Sequence, residues 1–181
     1  MYKGIVQTGI QGVYSIKYDV FKDHRGSIGM LYNMHKIHKS ISYTCNAVEI
    51  TFTHSLPHVL RGLHIQMWER IVFPVGGELM QVLVDCREES RTFGRVEVYK
   101  IDDSNRMGFF LPAWVANGYC ALGNEGIDYL YILNSEYMQK RTRNIIWNDP
   151  DLKISWPKDV IVSEQDKKGL TMRKLFPQKY L

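Results

Sequence analysis

The sequence predicts an all-β fold, a sandwich or barrel of the jelly-roll kind with short peripheral helices. Apolar and polar residues alternate with a period of two through much of the chain, and these stretches are rich in β-branched and aromatic residues. Turn-forming clusters such as DHRG, PVGG, SRTFG and GNEG separate them. The pattern corresponds to roughly ten short strands at close spacing, which is typical of a sandwich or barrel.

The alternation also assigns strand faces and leaves little room for helices. In ELMQVLVDC, one face carries Met80, Val82 and Val84, and the other carries Leu79, Gln81, Leu83 and Asp85. AVEITFTH, RVEVYKI and DYLYILN alternate in the same way. We expect helices only around residues 34–41 and 163–168, the second capped by Ser163.

Length and composition favour one compact domain spanning residues 1–181. The chain has 181 residues, 45% of them hydrophobic, and it contains no apolar run long enough for a transmembrane helix or a signal peptide. Cys45, Cys86 and Cys120 form an odd set without CxxC spacing, which predicts reduced thiols in a cytoplasmic protein. The net charge of +4 is most simply a solvated basic surface; it lacks the dense patch typical of nucleic-acid binding and fits a small anionic ligand equally well.

The stretch HVLRGLHIQ places two basic side chains inside an apolar strand. Strict alternation puts His64 and Gln66 on one face with Gly62, and Arg61 on the other. A bulge at Gly62 would bring Arg61 and His64 to the same face. No HxH or HExxH spacing occurs in the chain, so we expect no metal site.

Three other polar residues in strand-like or turn-like segments have an ordinary structural interpretation, which stands beside a role in a functional site. Tyr131 in DYLYILNSEY is either a packing residue or an inward-facing phenol that could donate a proton. Asn117, which precedes a glycine in PAWVANGYCAL, is ordinarily a turn residue. Asp166 is ordinarily a solvated carboxylate near a short helix. Residue types alone leave these alternatives open.

Six segments taken together resemble the sugar-nucleotide 3,5-epimerase family, whose best-known members are the dTDP-4-dehydrorhamnose 3,5-epimerases. They are FKDHRGSIG, VLRGLHIQ, VLVDCREESRTFGRVEVYKI, FFLPAWVANGYCAL, DYLYILNSEY and IIWNDPDLKISWP, within about residues 20–166. The resemblance implies a cupin-type jelly roll, usually a homodimer that exchanges N-terminal strands. It also implies a reaction on nucleoside-diphosphate 4-keto-6-deoxy sugars that uses no cofactor.

The resemblance further implies individual roles for site residues. The catalytic set comprises a base, its carboxylate partner, an acid and a cation that replaces the family lysine: His64, Asp166, Tyr131 and Arg70. The substrate-binding set comprises Arg61 near the diphosphate, Tyr137 stacked near the base, Arg25 reaching across the dimer to the nucleotide, and Gln66.

These residue types suit the implied chemistry. A 4-keto group makes the hydrogens on C3 and C5 acidic, and a neutral imidazole is a good base near neutral pH. A carboxylate on the other ring nitrogen fixes the tautomer and stabilises the imidazolium. A phenol can return a proton to the opposite face, and a cation such as Arg70 can stabilise the enolate oxygen.

The chain departs from the family at the sugar end of the site. The family motif AHGF is ANGY here, so Asn117 replaces a histidine, and Gln81 in LMQVLVD replaces an aspartate. In the family both positions line one cavity. We interpret the change as an ionisable pair that has become a neutral amide pair, which predicts altered handling of either C3 or C5.

The chain also departs at the nucleotide end. Met30 aligns with a family glutamate, while Glu49 and Thr51 replace the glutamine and asparagine of VQDNHS. A carboxylate suits the two donors of the guanine edge. The sequence therefore predicts a GDP-linked substrate, as in the branch that acts on GDP-4-keto-6-deoxy-heptoses in bacterial capsule synthesis.

Three alternatives remain. They are a standard dTDP-4-dehydrorhamnose 3,5-epimerase, a ketoisomerase on a similar jelly roll, and a non-catalytic sugar-nucleotide-binding cupin. The last would retain Arg61 without needing His64, Tyr131 and Asp166 together.

Overall fold

A computed structural model describes residues 2–41 and 46–180. The strands are β1 (Tyr2–Gln7), β2 (Tyr14–Tyr18), β3 (Val20–Asp23), β4 (Gly26–Gly29), β5 (Glu49–Ser55), β6 (Val59–Gln66), β7 (Arg70–Pro74), β8 (Leu79–Asp85), β9 (Val96–Ile101), β10 (Met107–Leu111), β11 (Val115–Ala121), β12 (Ile127–Leu133), β13 (Thr142–Asn144) and β14 (Ile161–Val162). The helices are α1 (Met34–Ser40), α2 (Glu164–Lys167) and α3 (Met172–Leu175).

Two antiparallel sheets form a cupin-like β-sandwich, which confirms the predicted all-β class. The first has the order β1-β2-β10-β7-β12-β5, and the second has the order β13-β6-β11-β8-β9. The short β14 runs parallel to β6, and β3 and β4 form a separate hairpin. The described residues hold fourteen strands rather than the roughly ten predicted from the pattern, because β3, β4, β13 and β14 have four residues or fewer and are too short to alternate visibly.

The core between the sheets follows from the period-two pattern. Leu79 and Leu83 of β8 join the interior cluster that includes residues of both sheets. Val82 and Val84 point the other way, into a second cluster that the C-terminal segment covers with Met172. Strand β8 is therefore buried on both faces and lies between β11 and β9 in the second sheet.

The predicted helices form within a residue or two of their expected bounds. The side chain of Asn33 caps α1 by accepting from the amide of Lys36, and Ser163 caps α2 by accepting from the amide of Asp166. Helix α3 and two 3₁₀ turns were not predicted, since elements of three or four residues have no detectable periodicity.

Two other expectations bear on cellular context. Cys86 and Cys120 are buried free thiols, whereas Cys45 lies outside the described residues. Among the described helices, none combines the length and the apolar character needed to cross a bilayer. The cytoplasmic location stays a prediction.

Candidate active site

A bulge in β6 brings Arg61 and His64 to one face. Opposite them on β11, Tyr119 pairs with Arg61 and Asn117 pairs with His64, so three steps along β6 match two along β11. Gly62 at this point has φ +135°, and a Cβ there would lie 2.6 Å from Cα of Gly118. Only glycine permits this close approach, so the bulge proposed from the sequence is present.

Asp166 holds the imidazole of His64. Nε2 of His64 lies 2.7 Å from Oδ1 of Asp166, and the amide of Gly62 donates to the other carboxylate oxygen at 3.2 Å. Burial by itself raises the pKa of Asp166, but the hydrogen bond and charge of His64 and the Gly62 amide outweigh it and lower that pKa. The carboxylate is therefore ionised at neutral pH, and Nε2 of the neutral ring carries the proton.

The His64 side chain opens into a cavity of about 290 Å³ between the two sheets. It is 32% exposed, whereas the Asp166 side chain is only 5% exposed. The lining includes Glu49, Thr51, Thr53, Arg61, His64, Gln66, Tyr131, Tyr137, Thr142, Asn144 and Gln165. Of this pair, therefore, the imidazole of His64 can contact a ligand in the cavity, whereas the buried carboxylate of Asp166 cannot.

Tyr131 reaches the same cavity from β12 in the opposite sheet. Burial raises its pKa well above the ordinary value, with a further increase from Tyr119 and smaller opposing effects from Arg61, Arg70 and Thr53. The phenol therefore keeps its proton at neutral pH. Together with His64 it places a proton acceptor and a proton donor on facing walls.

Arg61 supplies positive charge to the cavity. Its Nε donates to Oγ of Ser55 at 2.8 Å, and Nη2 donates to the carbonyl of His54 at 3.3 Å. Within the described part of the chain, no carboxylate forms an ion pair with Arg61. Its charge is available to an anionic ligand such as a diphosphate.

Arg70 lies beneath the cavity rather than in its lining. The side chain is fully buried; Nη2 donates to the carbonyl of Val115 at 2.7 Å, and Nε and Nη1 have no partner among the described residues. Burial lowers its pKa to about 10, against opposing effects of Tyr129, Tyr131 and Cys86. The cation therefore persists at neutral pH.

Gln81 and Asn117 form the predicted amide pair, but below the cavity. Nε2 of Gln81 donates to Oδ1 of Asn117 at 2.7 Å and to the carbonyl of Gly118 at 2.8 Å. The hydroxyl of Tyr129 donates to Oε1 of Gln81 at 2.6 Å. Asn117 thus lies inside a strand rather than in a turn, because its amide completes a buried polar network.

The predicted nucleotide-binding residues divide into two groups. Glu49, Gln66 and Tyr137 line the cavity, with Oε2 of Glu49 accepting from the amide of Tyr137 at 2.9 Å. Oε1 of Gln66 is buried without a partner in the described chain. Arg25 lies in the β3–β4 turn, exposed and paired with Asp23 at 2.7 Å. In a single chain it does not reach the cavity.

Sequence reasoning missed the hydroxyl groups beside Arg61. Thr53 and Ser55 of β5 and Tyr119 of β11 share hydrogen bonds of 3.0 and 2.9 Å at the cavity wall. A signal was available in EITFTHS, where the inward face is polar and the outward face carries Ile50 and Phe52. Such inverted alternation marks a strand whose inner face lines a site rather than a core.

Within residues 2–41 and 46–180, no group of three or more histidine, cysteine, aspartate or glutamate side chains could hold a metal ion. The cavity brings an imidazole and a phenol together on facing walls, an arrangement suited to removing a proton from a bound molecule and returning one. This fold and this pair of groups suit an isomerase that works by proton transfer.

Comparison with known proteins narrows this class. Residues 7–174 match the family described as dTDP-4-dehydrorhamnose 3,5-epimerase. The enzyme of that name from Methanothermobacter thermautotrophicus is 33% identical over 180 residues, covering 93% of this chain and 94% of its own. The chain therefore belongs to the sugar-nucleotide 3,5-epimerase family.

Solved structures of 3,5-epimerases have the same fold as this chain. The dTDP-4-dehydrorhamnose 3,5-epimerase of Elizabethkingia anophelis superposes with a TM-score of 0.84 at 30% identity, covering 94% of this chain and 97% of that one. A 3,5-epimerase from Legionella pneumophila in complex with dTDP-4-keto-L-rhamnose gives 0.88 at 27% identity, covering 97% and 95%.

Proposed function

We propose that the protein epimerises a nucleoside-diphosphate 4-keto-6-deoxy sugar at a carbon next to the ketone, without a metal or redox cofactor. The observation that carries the proposal is the 2.7 Å contact between His64 and Asp166, with the imidazole open to the cavity that Tyr131 and Arg61 share. A merely structural histidine would not need a buried carboxylate behind it and a cavity in front.

The proton transfer follows from the tautomer of His64. The carboxylate of Asp166 accepts a hydrogen bond from the Nε2–H group of His64, which leaves the lone pair of Nδ1 free to remove a proton from the sugar carbon. As the ring becomes imidazolium, the buried carboxylate stabilises its charge. Tyr131 returns a proton from the opposite wall, so the configuration at that carbon inverts.

Two arginines supply positive charge in this mechanism. Arg61 has no carboxylate partner in the described chain and suits the diphosphate, which its guanidinium can hold by two hydrogen bonds. The positive charge of Arg70, buried beneath the cavity, lowers the pKa of Tyr131 and so favours release of its proton to the sugar. Direct contact between Arg70 and the enolate oxygen would require the side chain to move from its buried position.

The relatives support a dTDP-linked substrate more strongly than the GDP-linked heptose predicted from Glu49. The related enzymes named above are dTDP-sugar epimerases, one of them holding dTDP-4-keto-L-rhamnose. In favour of guanine, Glu49 lines the cavity, although its oxygens already accept from Thr51 and from the amide of Tyr137. We therefore propose a dTDP-4-keto-6-deoxy sugar first and the GDP-linked heptose as the second candidate.

The deciding experiment incubates the enzyme with dTDP- and GDP-linked 4-keto-6-deoxy sugars in heavy water and locates deuterium by NMR. We expect label at C3, C5 or both, faster for the preferred nucleotide, and no label with His64→Asn. Absence of exchange with every such sugar nucleotide would refute the epimerase assignment. Faster exchange of the GDP-linked sugar would reverse the ranking of the two candidates.

The amide pair of Gln81 and Asn117 is proposed to bias the enzyme toward one carbon. A neutral pair keeps the hydrogen bond and lacks the proton-transfer capacity of a histidine–aspartate pair. Asn117→His, alone and with Gln81→Asp, should change the ratio of deuterium at C3 to that at C5. An unchanged ratio and substrate range in both variants would contradict this interpretation.

A homodimer is the proposed assembly. Strand β5 is an edge of the first sheet, and its outward-facing Ile50 and Phe52 are 64% and 67% exposed. Phe21 and Ile28 are exposed on the β3–β4 hairpin that carries Arg25. A second copy would cover these apolar side chains and bring Arg25 toward the cavity of its partner. Exchange of β1, which pairs with β2 in one chain, is the remaining part of this proposal.

A further inference from the structure

Glu49 uses both of its carboxylate oxygens to accept hydrogen bonds from the protein itself. Oε1 accepts from Oγ1 of Thr51 at 2.9 Å, and Oε2 accepts from the backbone amide of Tyr137 at 2.9 Å. Thr51 lies two residues further along β5, so the side chains of Glu49 and Thr51 point to the same face, and both line the cavity. The hydroxyl of Thr51 therefore helps to fix the carboxylate in the position from which it meets the Tyr137 amide.

The bond to Glu49 holds the segment between β12 and the following 3₁₀ turn. This segment is also fixed at its start, where the amide and the side-chain nitrogen of Asn134 donate to the carbonyl and the carboxylate of Glu69 at 3.3 and 3.1 Å. The ring of Tyr137 meets the ring of buried Trp68 nearly at a right angle, with 5.9 Å between the centroids. The hydrogen bond to Glu49 and this ring contact together set the position of Tyr137.

The two bonds of Glu49 bear on whether it reads the nucleotide base. A carboxylate that reads guanine directs both oxygens at the N1–H and N2–H₂ groups of the base. Both oxygens of Glu49 instead face donors of the protein, on Thr51 and Tyr137. Rotating the carboxylate toward a base would break these bonds and free the aromatic residue that is expected beside that same base. The geometry therefore suits support of Tyr137 better than direct contact with guanine.

We propose that Glu49 is a positioning residue that holds Tyr137 at the nucleotide end of the site, whichever base the nucleotide carries. The inference rests on the proposed function for the place of Tyr137 beside the base. Tyr137 is 50% exposed, so its ring can still receive a ligand. An aromatic ring stacks on thymine and on guanine alike, because every base has a π-face. Selection between dTDP- and GDP-linked sugars therefore lies with residues other than Glu49.

Calorimetry with dTDP and with GDP, in the absence of a sugar, tests this role. Glu49→Ala removes the acceptor of the Tyr137 amide, so Kd should rise about three- to tenfold, by the same factor for both nucleotides. Loss of a negative charge near a diphosphate would by itself lower Kd, so the charge cannot account for such a rise. A rise confined to GDP would show that Glu49 reads guanine. That result, or an unchanged Kd for both nucleotides, would overturn the inference.

Glu49→Gln is the conservative variant. The side-chain carbonyl of glutamine can accept from the Tyr137 amide while its NH₂ group donates to Thr51, so this variant should restore most of the affinity that Glu49→Ala loses, for both nucleotides. A guanine-reading carboxylate predicts a loss of GDP affinity alone, because an amide nitrogen cannot accept from the base. Glu136→Ala removes an exposed carboxylate from the same segment, and as the matched control it should keep Kd within about twofold.

A double-mutant cycle tests whether Glu49 acts through Tyr137. Tyr137→Ala removes the aromatic ring and keeps the backbone amide. In that background, Glu49→Ala should raise Kd by less than about twofold, because the ring that it positions is gone. A rise as large as the one in the wild-type background would show that Glu49 contacts the nucleotide itself, which would contradict the proposal.

Binding and exchange together separate this inference from the proposed reaction. A wild-type enzyme that shows these Kd differences but exchanges no deuterium into any sugar nucleotide would refute the reaction and support the role of Glu49. Exchange by the wild-type enzyme, with Kd values that Glu49→Ala leaves unchanged, would refute this inference alone. Failure of both nucleotides to bind the wild-type enzyme would refute the nucleotide site and this inference with it.

Discussion

Asp166 joins a short helix to the proposed site through both its backbone and its side chain. Its amide completes the cap of α2, while its carboxylate accepts from His64 and from the amide of Gly62 in β6. The short helix is therefore anchored to the strand that carries the proposed base. Because the carboxylate is nearly buried, these partners, rather than solvent, set its orientation.

Replacing Asp166 by asparagine should impair catalysis far more than folding. The amide can adopt the same position, but it cannot stabilise an imidazolium and it can favour the wrong tautomer of His64. We expect kcat to fall about 10²–10⁴-fold, measured by deuterium exchange, with a Tm change of a few degrees. Glu164→Gln, on an exposed side chain of the same helix, is the control and should leave kcat unchanged. A wild-type rate for Asp166→Asn would remove the carboxylate from the mechanism.

Asp85 is a buried carboxylate with a purely structural environment. It accepts from Arg87 at 2.8 Å and from the hydroxyls of Ser90 and Thr92 at 2.6 Å each. Burial raises its pKa, but the hydrogen bonds from Arg87, Ser90 and Thr92 outweigh this and lower it below 3.8. Its contribution to stability is therefore fully present above the unfolded-state pKa and is lost as the pH falls through the lower folded-state value.

Asp85→Asn should lower the free energy of unfolding at pH 7 by about 3 kcal/mol, because the Arg87 charge loses its buried partner. The difference from wild type should shrink as the pH falls from the ordinary aspartate pKa toward the lower folded-state pKa, because the carboxylate is protonated first in the unfolded chain and then in the folded protein. Urea unfolding at several pH values measures both effects. An equal difference at pH 7 and pH 3 would show that the lost contact is not electrostatic.

Strand β5 has its polar residues on the inward face and its apolar residues on the outward face, the reverse of a core strand. Its inward face carries Glu49, Thr51 and Thr53 at the cavity, and its outward face carries Ile50 and Phe52. Strand β8, in contrast, directs Leu79 and Leu83 into the apolar core between the sheets. The same period-two pattern therefore produces a core strand or a site strand, depending on which residue type faces the other sheet.

The bulge in β6 should not tolerate a side chain at Gly62. Alanine there would clash with Cα of Gly118 and would have to adopt φ +135°. We expect Gly62→Ala to lower the free energy of unfolding by about 2–4 kcal/mol and to reduce exchange activity, because Arg61 and His64 would separate. Gly123→Ala is the control, since its Cβ would meet nothing nearer than 3.8 Å. Equal stability of the two variants would show that the backbone adapts.

At the scale of the whole molecule, the exposed apolar edge predicts the oligomeric state. Light scattering should give twice the 21.1 kDa of one chain. Phe52→Asp should shift the mass to that of a monomer, because it places a charge in the covered apolar face. Val98→Asp on β9, an edge of the second sheet, makes the same change elsewhere and should leave the dimer intact. A dimer that survives Phe52→Asp would mean that β5 is not its interface.

Short-range pattern was sufficient to predict the all-β class, the faces of β8, the α2 cap and the possibility of a bulge at Gly62. Each of these depends on residues within a few positions of one another, where periodicity and backbone sterics act directly. The resemblance to a family indicated four further site residues. In the structure His64, Tyr131 and Arg61 line one cavity, and Asp166 is hydrogen-bonded to His64.

Other features depended on contacts between segments far apart in the sequence. Arg70, Gln81 and Asn117 are buried because the two sheets pack over them. The alternation of residues along a strand cannot show whether an inward-facing side chain lines the cavity or is buried below it. The hydroxyl of Tyr119 shares hydrogen bonds with Thr53 and Ser55, which lie more than 60 positions away in the sequence. Local sequence determines which way a side chain points along its strand, but only tertiary packing determines what it meets there.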